Sequence, residues 1–411
     1  MKKIQAQKGT KDILPSEIVN WQFMENAAIN TFNNANYQEI RTPIFEATEL
    51  FSRGVGDSTD IVNKEMYTFE KSDRSLTLRP EGTASVVRAY IEHGFFRMPS
   101  PQKFWYKGPM FRYERPQAGR QRQFHQVGVE FFGEANPTAD AEVILSACNF
   151  LNNLGVNDLT VEINSLGCDK CRGVFRENLK KILSNKLENL CEDCKMRYEK
   201  NPLRILDCKN ESCLKELASS DIENFIQSDF ICEECNEHYA TLKKYLNELN
   251  IKYIENKKLV RGLDYYNRTV FEIKSTNLGS QNAVCGGGRY DNLVETLGGP
   301  KTPAVGFAMG LERLNLLINQ KEQPKLDYFV ISTNSIEALK LISEIRKHNK
   351  SADFDYSSKK FTKQFEKAAK TANFALILGE DEINNNTISI KDLNTSNQNT
   401  IEFSEFLKSL E

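Results

Sequence analysis

The sequence predicts an α+β protein: an antiparallel sheet flanked by helices, interrupted by a mainly helical block and followed by a C-terminal α/β module. Three observations carry this. Strand-type alternation with a period of two runs through 104–114 and 122–133, and again through Thr269, Phe271 and Ile273. From about 166 to 256 the composition turns to Lys, Glu and Cys with helical patterning, and strand character then returns in LVRGLDYYNRTVFEI. Past Pro324 strand-like and helix-like pieces alternate: DYFVIS, EALKLISEIRK, FALILGE and TISIKDL. The expected division is 1–165 and 257–322 for the two parts of the sheet domain, 166–256 for the inserted block and 325–411 for the last module.

Within the first part, Ser16 is placed to cap a helix reaching about Phe32, with Val19, Phe23 and Ala27 at helical spacing. RTPIFE, 41–46, is extended, and Pro43 is barred from a central ladder position. SLTLRPEGT, 75–83, is a strand that breaks at Pro80, and the NNN at 384–386 is a turn. The glycines of CGGGRYD, 285–291, either let backbone approach a ligand or form a tight turn.

With 40% hydrophobic and 27% charged residues the chain has an ordinary globular composition. No apolar run approaches membrane-spanning length, and the two lysines of MKKIQAQKGTKDILP are followed by no apolar stretch. A cytoplasmic location with reduced thiols is therefore expected. The net charge of -2 gives no global field for nucleic acid, so any phosphate contact needs a local patch. Lys359, Lys360, Lys363, Lys367 and Lys370, broken only by Glu366, form either such a patch or a solvated helix face.

Two features point to chemistry. Gln126, Gly128 and Glu130 project to one side of a strand patterned to be buried, and a buried carboxylate needs partners because leaving it unpaired costs several kcal/mol. His125 alternates to the other side, as a hydrogen-bonded structural residue. Second, eight of the ten cysteines form four close pairs, Cys168/Cys171, Cys191/Cys194, Cys208/Cys213 and Cys232/Cys235. Their spacing suits two tetrahedral Cys₄ zinc sites replacing core in a small domain, with the pairing left open; the alternative is free thiols. Cys148 and Cys285 are ordinary small residues.

Taken together, the helix running into RTPIFE, FRYERPQ through QFHQVGVEFFG, and AVGFAMGLER resemble the three motifs of class II aminoacyl-tRNA synthetases. RGLDYYNRTVFE (261–272), CGGGRYD, TLRPEGT and the C-terminal ILGE…KDL pattern resemble the bacterial histidyl-tRNA synthetase family, in the right order over essentially the whole chain. The resemblance implies a class II catalytic domain, a helical insertion and an anticodon-binding domain. It also implies a reaction: L-histidine and ATP, the latter with Mg²⁺, give histidyl-adenylate and pyrophosphate, and histidine then moves to the 3′ end of tRNA(His).

By the same resemblance, Arg112 and Arg261 act at the α-phosphate, Arg261 lying where related enzymes use a metal ion and also contacting histidine. Glu114 holds the adenine end, and Arg120 and Arg313 hold the outer phosphates. Arg112 and Glu114 are expected on one face of a strand. Glu81 and Thr83 bind the substrate ammonium; Gln126 and Glu130 floor the histidine pocket, with Gly128 leaving room for the ligand. Of Tyr265 and Tyr266, one reaches the imidazole and one packs nearby, Tyr266 being the expected contact. The family is homodimeric, with the Pro43 segment at the interface. The nearest rival is the related regulatory subunit of ATP phosphoribosyltransferase, which typically lacks the C-terminal module and departs from RGLDYY. A zinc-dependent nucleic-acid-binding protein would leave Arg112, Gln126, Glu130, Arg261 and Arg313 unexplained.

Overall fold

A ten-residue strand, Gln123–Phe132, pairs antiparallel along its full length with Gln102–Phe111, placing Tyr106 opposite Gly128 and Phe104 opposite Glu130. Its other edge pairs with Ala304–Gly310, so that Gly306 faces Glu130 and Gly310 faces Gln126. These belong to an eight-stranded sheet, ordered Gln38–Glu39, Gln102–Phe111, Gln123–Phe132, Ala304–Gly310, Ala283–Arg289, Asn267–Ser275, Leu159–Ser165 and Tyr253–Glu255. The interior pairings are antiparallel, and the short strands at the two edges add in parallel. The computed structural model describes residues 3–57, 59–228, 230–278, 282–357 and 360–410. They fall into two compact units, Met1–Lys321 and Glu322–Glu411.

The two faces of the sheet have different fates because strand side chains alternate. Val127, Val129 and Phe131 enter a core with Trp21, Met24 and Phe32 of helix Ile18–Asn34 and Ile144 and Phe150 of helix Pro137–Asn153. Gln126, Gly128 and Glu130 take the opposite face. The sheet is tied to helix Pro137–Asn153 by a buried ion pair: Arg289 Nη2 lies 2.6 Å from Asp140 Oδ2, and His238 is 3.4 Å from Asp140 Oδ1. Burial alone would raise the Asp140 pKa; the Arg289 guanidinium overrides it and holds the carboxyl well below the usual range.

Helices between Asp169 and Gln227 form a block with its own small core, including Phe175, Leu179, Leu183, Ile205, Ile222 and Ile226. Helix Glu233–Glu248 instead sends Tyr239, Leu242 and Leu246 into the main core. A three-stranded sheet joins Phe45–Ala47, Arg74–Leu78 and Tyr67–Lys71, and Pro43 lies outside every strand. Two local expectations change. The helix N-cap is Glu17 rather than Ser16, because Ile18 N–H already closes a turn onto Leu14 O at 3.0 Å. The NNN segment completes helix Glu380–Asn385, with Asn386 as its left-handed C-cap (φ 52°).

The second unit is a five-stranded sheet ordered Ala352–Phe354, Leu326–Ile331, Ala372–Ile377, Thr387–Asp392 and Gln398–Glu402, parallel over the first three strands and antiparallel over the rest. Helix Phe361–Thr371 buries Gln364 and Ala368 and exposes Lys363, Lys367 and Lys370, with Lys360 at its N-cap; Lys359 lies outside the described residues. Among the described residues no helix is long and apolar enough to cross a membrane.

Candidate active site

The polar face of the sheet opens into a cleft of about 540 Å³ lined by Arg112, Glu114, Arg120, Gln126, Arg261 and Arg313. Three of these come from the connection after Gln102–Phe111. The strand ends at Phe111, so Arg112 and Glu114 do not share a strand face: Glu114 N–H bonds back to Arg112 O at 2.8 Å as the chain turns. They converge nonetheless. Arg112 Nη1 is 3.8 Å and Arg120 Nη1 3.2 Å from the Glu114 carboxylate, and Arg112 Nε donates to Pro80 O at 2.8 Å. Gly119 lets the loop pass Arg313. Its φ is +69°, and a Cβ there would sit 2.9 Å from Arg313 Cγ. Arg313, in the short helix Leu311–Asn315, has its pKa lowered by burial and then by neighbouring Arg120, so a bound anion would relieve both.

Arg261 enters from the loop before Asn267–Ser275 and pairs with Glu272, while its Nε is buried without a hydrogen-bond partner among the described residues. It passes over Gly286, where any Cβ would overlap the guanidinium. The three glycines are therefore not a turn. They lie within strand Ala283–Arg289, where Gly286 admits an arginine, and at Gly287 and Gly288 a Cβ would crowd Gly306 O and Thr269 O.

Beyond the arginines lies a buried polar pocket. Glu130, with no exposed surface, accepts from Thr83 Oγ1 at 2.7 Å and from the Tyr290 hydroxyl. Burial pushes its pKa up to about 8 against the lowering effect of those hydrogen bonds. Glu81, 3% exposed, is also raised by burial, and accepts the backbone N–H of Thr83 and Ala84, both at 2.8 Å, at the start of helix Thr83–Glu92. The Tyr265 ring lies 4.7 Å from Tyr266 and 5.6 Å from Tyr290, which closes the pocket around Glu130. Gln126 Oε1 and the Tyr106 hydroxyl are buried with no hydrogen-bond partner among the described residues, at a cost that a polar guest would remove.

The room at Gly128 goes to a protein side chain instead of a ligand. A Cβ there would meet the Tyr106 hydroxyl and Phe307 O at 2.6 Å, because Tyr106 is its cross-strand partner. His125 sits on the opposite face, with its backbone N–H 2.9 Å and Nδ1 3.0 Å from Glu312 Oε1 and its ring edge-on to Trp21.

The sequence reading missed Tyr290, Tyr106 and Glu272. Tyr290 stands inside CGGGRYD, next to glycines that carry the stronger local signal. Tyr106 sits in the aromatic run FWY, indistinguishable from core.

The thiols form two nested groups: Cys168, Cys171, Cys232 and Cys235, and between them in sequence Cys191, Cys194, Cys208 and Cys213, each with all sulfurs within 4.8 Å of one another. Tetrahedral Zn–S bonds of about 2.3 Å put sulfurs about 3.8 Å apart. Observed separations are 3.6 Å for Cys168–Cys171, 4.0 Å for Cys168–Cys232 and 3.9 Å for Cys191–Cys208. Backbone N–H groups also point at sulfur, Cys232 to Cys171 at 3.0 Å and Cys191 to Cys213 at 3.2 Å, as donors that stabilise metal-bound thiolates do. The donor set fits zinc.

An antiparallel sheet carrying an arginine-lined cleft beside a buried carboxylate pocket, with a separate α/β unit after it, defines a class II aminoacyl-tRNA synthetase. A sequence model of the histidyl-tRNA synthetase family matches residues 9–314, one of the anticodon-binding domain matches 327–411, and the chain belongs to the histidyl-tRNA synthetase family. It is 49% identical over 409 residues to histidine–tRNA ligase of Thermodesulfovibrio yellowstonii, covering 98% of this chain and 96% of that protein. It is 46% identical over 416 residues to the Clostridioides difficile ligase, covering 98% of each. The crystal structure of apo S. aureus histidyl-tRNA synthetase superimposes with a TM-score of 0.83 at 37% identity, covering 99% of this chain and 100% of that one. A Bacillus halodurans structure described as an ATP phosphoribosyltransferase regulatory subunit/histidyl-tRNA synthetase shares the fold alone, at 20% identity and a TM-score of 0.67, covering 92% of this chain and 98% of that one.

Proposed function

We propose that the chain activates L-histidine with ATP and transfers the histidyl group to tRNA(His). The observation that carries this is the convergence of Glu81, Thr83, Glu130, Tyr265 and Tyr266 on one buried pocket beside the four arginines. Histidine lies with its ammonium toward Glu81 and Thr83 and its ring toward Glu130, Gln126 and Tyr266. Its carboxylate attacks the α-phosphorus of ATP in line, forming the acyl–phosphate bond as pyrophosphate leaves. Arg112 and Arg261 stabilise charge on the α-phosphate oxygens, Arg120 and Arg313 hold the outer phosphates, and Glu114 holds the adenine end. ATP enters with Mg²⁺ on its phosphates. The adenylate is then attacked by a terminal ribose hydroxyl of tRNA, releasing AMP.

Zinc in the two cysteine clusters is structural and lends rigidity to the inserted block, outside the chemistry. The C-terminal unit binds the anticodon, with the lysine face of helix Phe361–Thr371 touching backbone phosphate. The chain works as a cytoplasmic homodimer. Exposed apolar residues around the Pro43 segment, Ile44 (44%), Phe45 (55%) and Phe69 (44%), support the dimer, and ten cysteines free of disulfide bonds accord with the compartment. Histidine-dependent exchange of labelled pyrophosphate into ATP, followed by charging of tRNA(His), tests the activity. Both are expected; a protein that does neither overturns the proposal.

A further inference from the structure

Loop 261–266, which the proposed function places around histidine, is held from behind by the inserted block. Arg172 donates Nη1 to Tyr266 O at 2.8 Å and reaches Asp264 O with Nη2 at 3.5 Å; Asn201 Nδ2 donates to Asp264 Oδ1 at 2.8 Å. Arg172, Asn201 and Asp264 line a second cleft of about 350 Å³. Just past Tyr266 the backbone is sewn to the block again, with Leu166 N–H on Arg268 O at 2.7 Å and Arg268 N–H on Gly167 O at 2.9 Å.

Each grip adjoins a cysteine cluster. Arg172 follows Cys171 directly, and Gly167 is pressed against Cys171, where an added Cβ would sit 2.5 Å from the Cys171 Cβ. Asn201 lies in the stretch that connects Cys194 to Cys208 within the other cluster. That stretch is also pinned to the catalytic side by Asp60, 2.7 Å from Arg197 and 3.2 Å from Arg204, and Asp193 bonds Lys64 at 2.8 Å. Around the clusters the block has only a small core, so four metal–sulfur bonds at each are strong local restraints on where Arg172 and Asn201 sit.

We propose that the two Cys₄ clusters bind a thiophilic divalent cation of the zinc type, and that Arg172 and Asn201 are positioning residues through which the metallated block sets the histidine-binding loop. This rests on the reading of loop 261–266 as part of the histidine pocket. The test uses the full chain, prepared without chelator. Elemental analysis should give two zinc ions per chain. Arg172→Ala and Asn201→Ala keep all eight thiols and should keep both metals. Each should raise the KM for histidine in pyrophosphate exchange roughly tenfold, with the KM for ATP within about twofold, and weaken histidine binding in calorimetry equally. Arg172→Lys, which still donates to a carbonyl, should recover part of the loss. Metal-free wild-type protein, or an unchanged histidine KM and affinity in both alanine variants, overturns the inference. Wild-type protein that counts two metals but shows no histidine-dependent exchange would overturn the proposed function instead.

Discussion

Thr83 Oγ1 donates to Glu130 Oε1 at 2.7 Å, linking the first turn of helix Thr83–Glu92 to the floor of the polar pocket. With the Tyr290 hydroxyl on the other oxygen, each carboxyl oxygen has a hydroxyl partner, and burial pushes the pKa up to about 8.

That value sets a pH dependence. The folded pKa lies above the unfolded value near 4.5, so the folded state holds a proton that the unfolded state has lost between those limits. The contribution of Glu130 to stability is full below about pH 4.5 and falls as pH rises toward 8, by up to about 1.4 kcal/mol per unit. Glu130→Gln should flatten this part of the profile, measured by urea unfolding between pH 5 and 8. It should also raise the histidine KM about fivefold near pH 7, where the carboxyl is still protonated, since a neutral hydrogen bond contributes about 1 kcal/mol.

Gly286→Ala separates fold from chemistry. The added methyl overlaps the tip of the Arg261 side chain, which can swing away at little cost in stability but loses its place in the cleft. The melting temperature should change little while the exchange rate falls roughly a hundredfold, as for loss of one well-placed donor.

Asp140→Asn should act the opposite way. It leaves Arg289, with no exposed side-chain surface, without its principal counter-charge, and the fold should lose about 3 kcal/mol in denaturant unfolding. The remaining contact to Asp291 at 3.0 Å moderates the loss.

Charge reversal at Lys360 and Lys363 should raise the KM for tRNA in the charging reaction and leave pyrophosphate exchange unchanged, because both side chains lie in the second unit. An unaltered KM for tRNA would mark them as a solvated face.

Much of the site was legible because strand alternation is local: Gln126 and Glu130 were assigned to the polar face and His125 to the other from spacing alone, and the hairpin register agrees. Legibility failed where distant segments decide the outcome. That Tyr106 fills the space over Gly128, and that Arg261 lies over Gly286, follows from contacts between separate strands and loops. The end of the strand at Phe111 is set by where its partner's ladder stops, and alternation continued past it. The division of eight cysteines into two sets depends on the path of the inserted chain, which pair spacing does not encode.

The nesting of those sets carries a consequence for how the molecule is made. The inner group spans only Cys191 to Cys213, with ligands 22 positions apart, whereas the outer one must bring Cys232 to Cys171 across 61. Shorter loops close with less entropic loss, and on a ribosome the inner set is also complete before Cys232 has been added. The proposed metal uptake should therefore be sequential, with the local knot tied during synthesis and the clasp that joins both ends of the insertion fastened last.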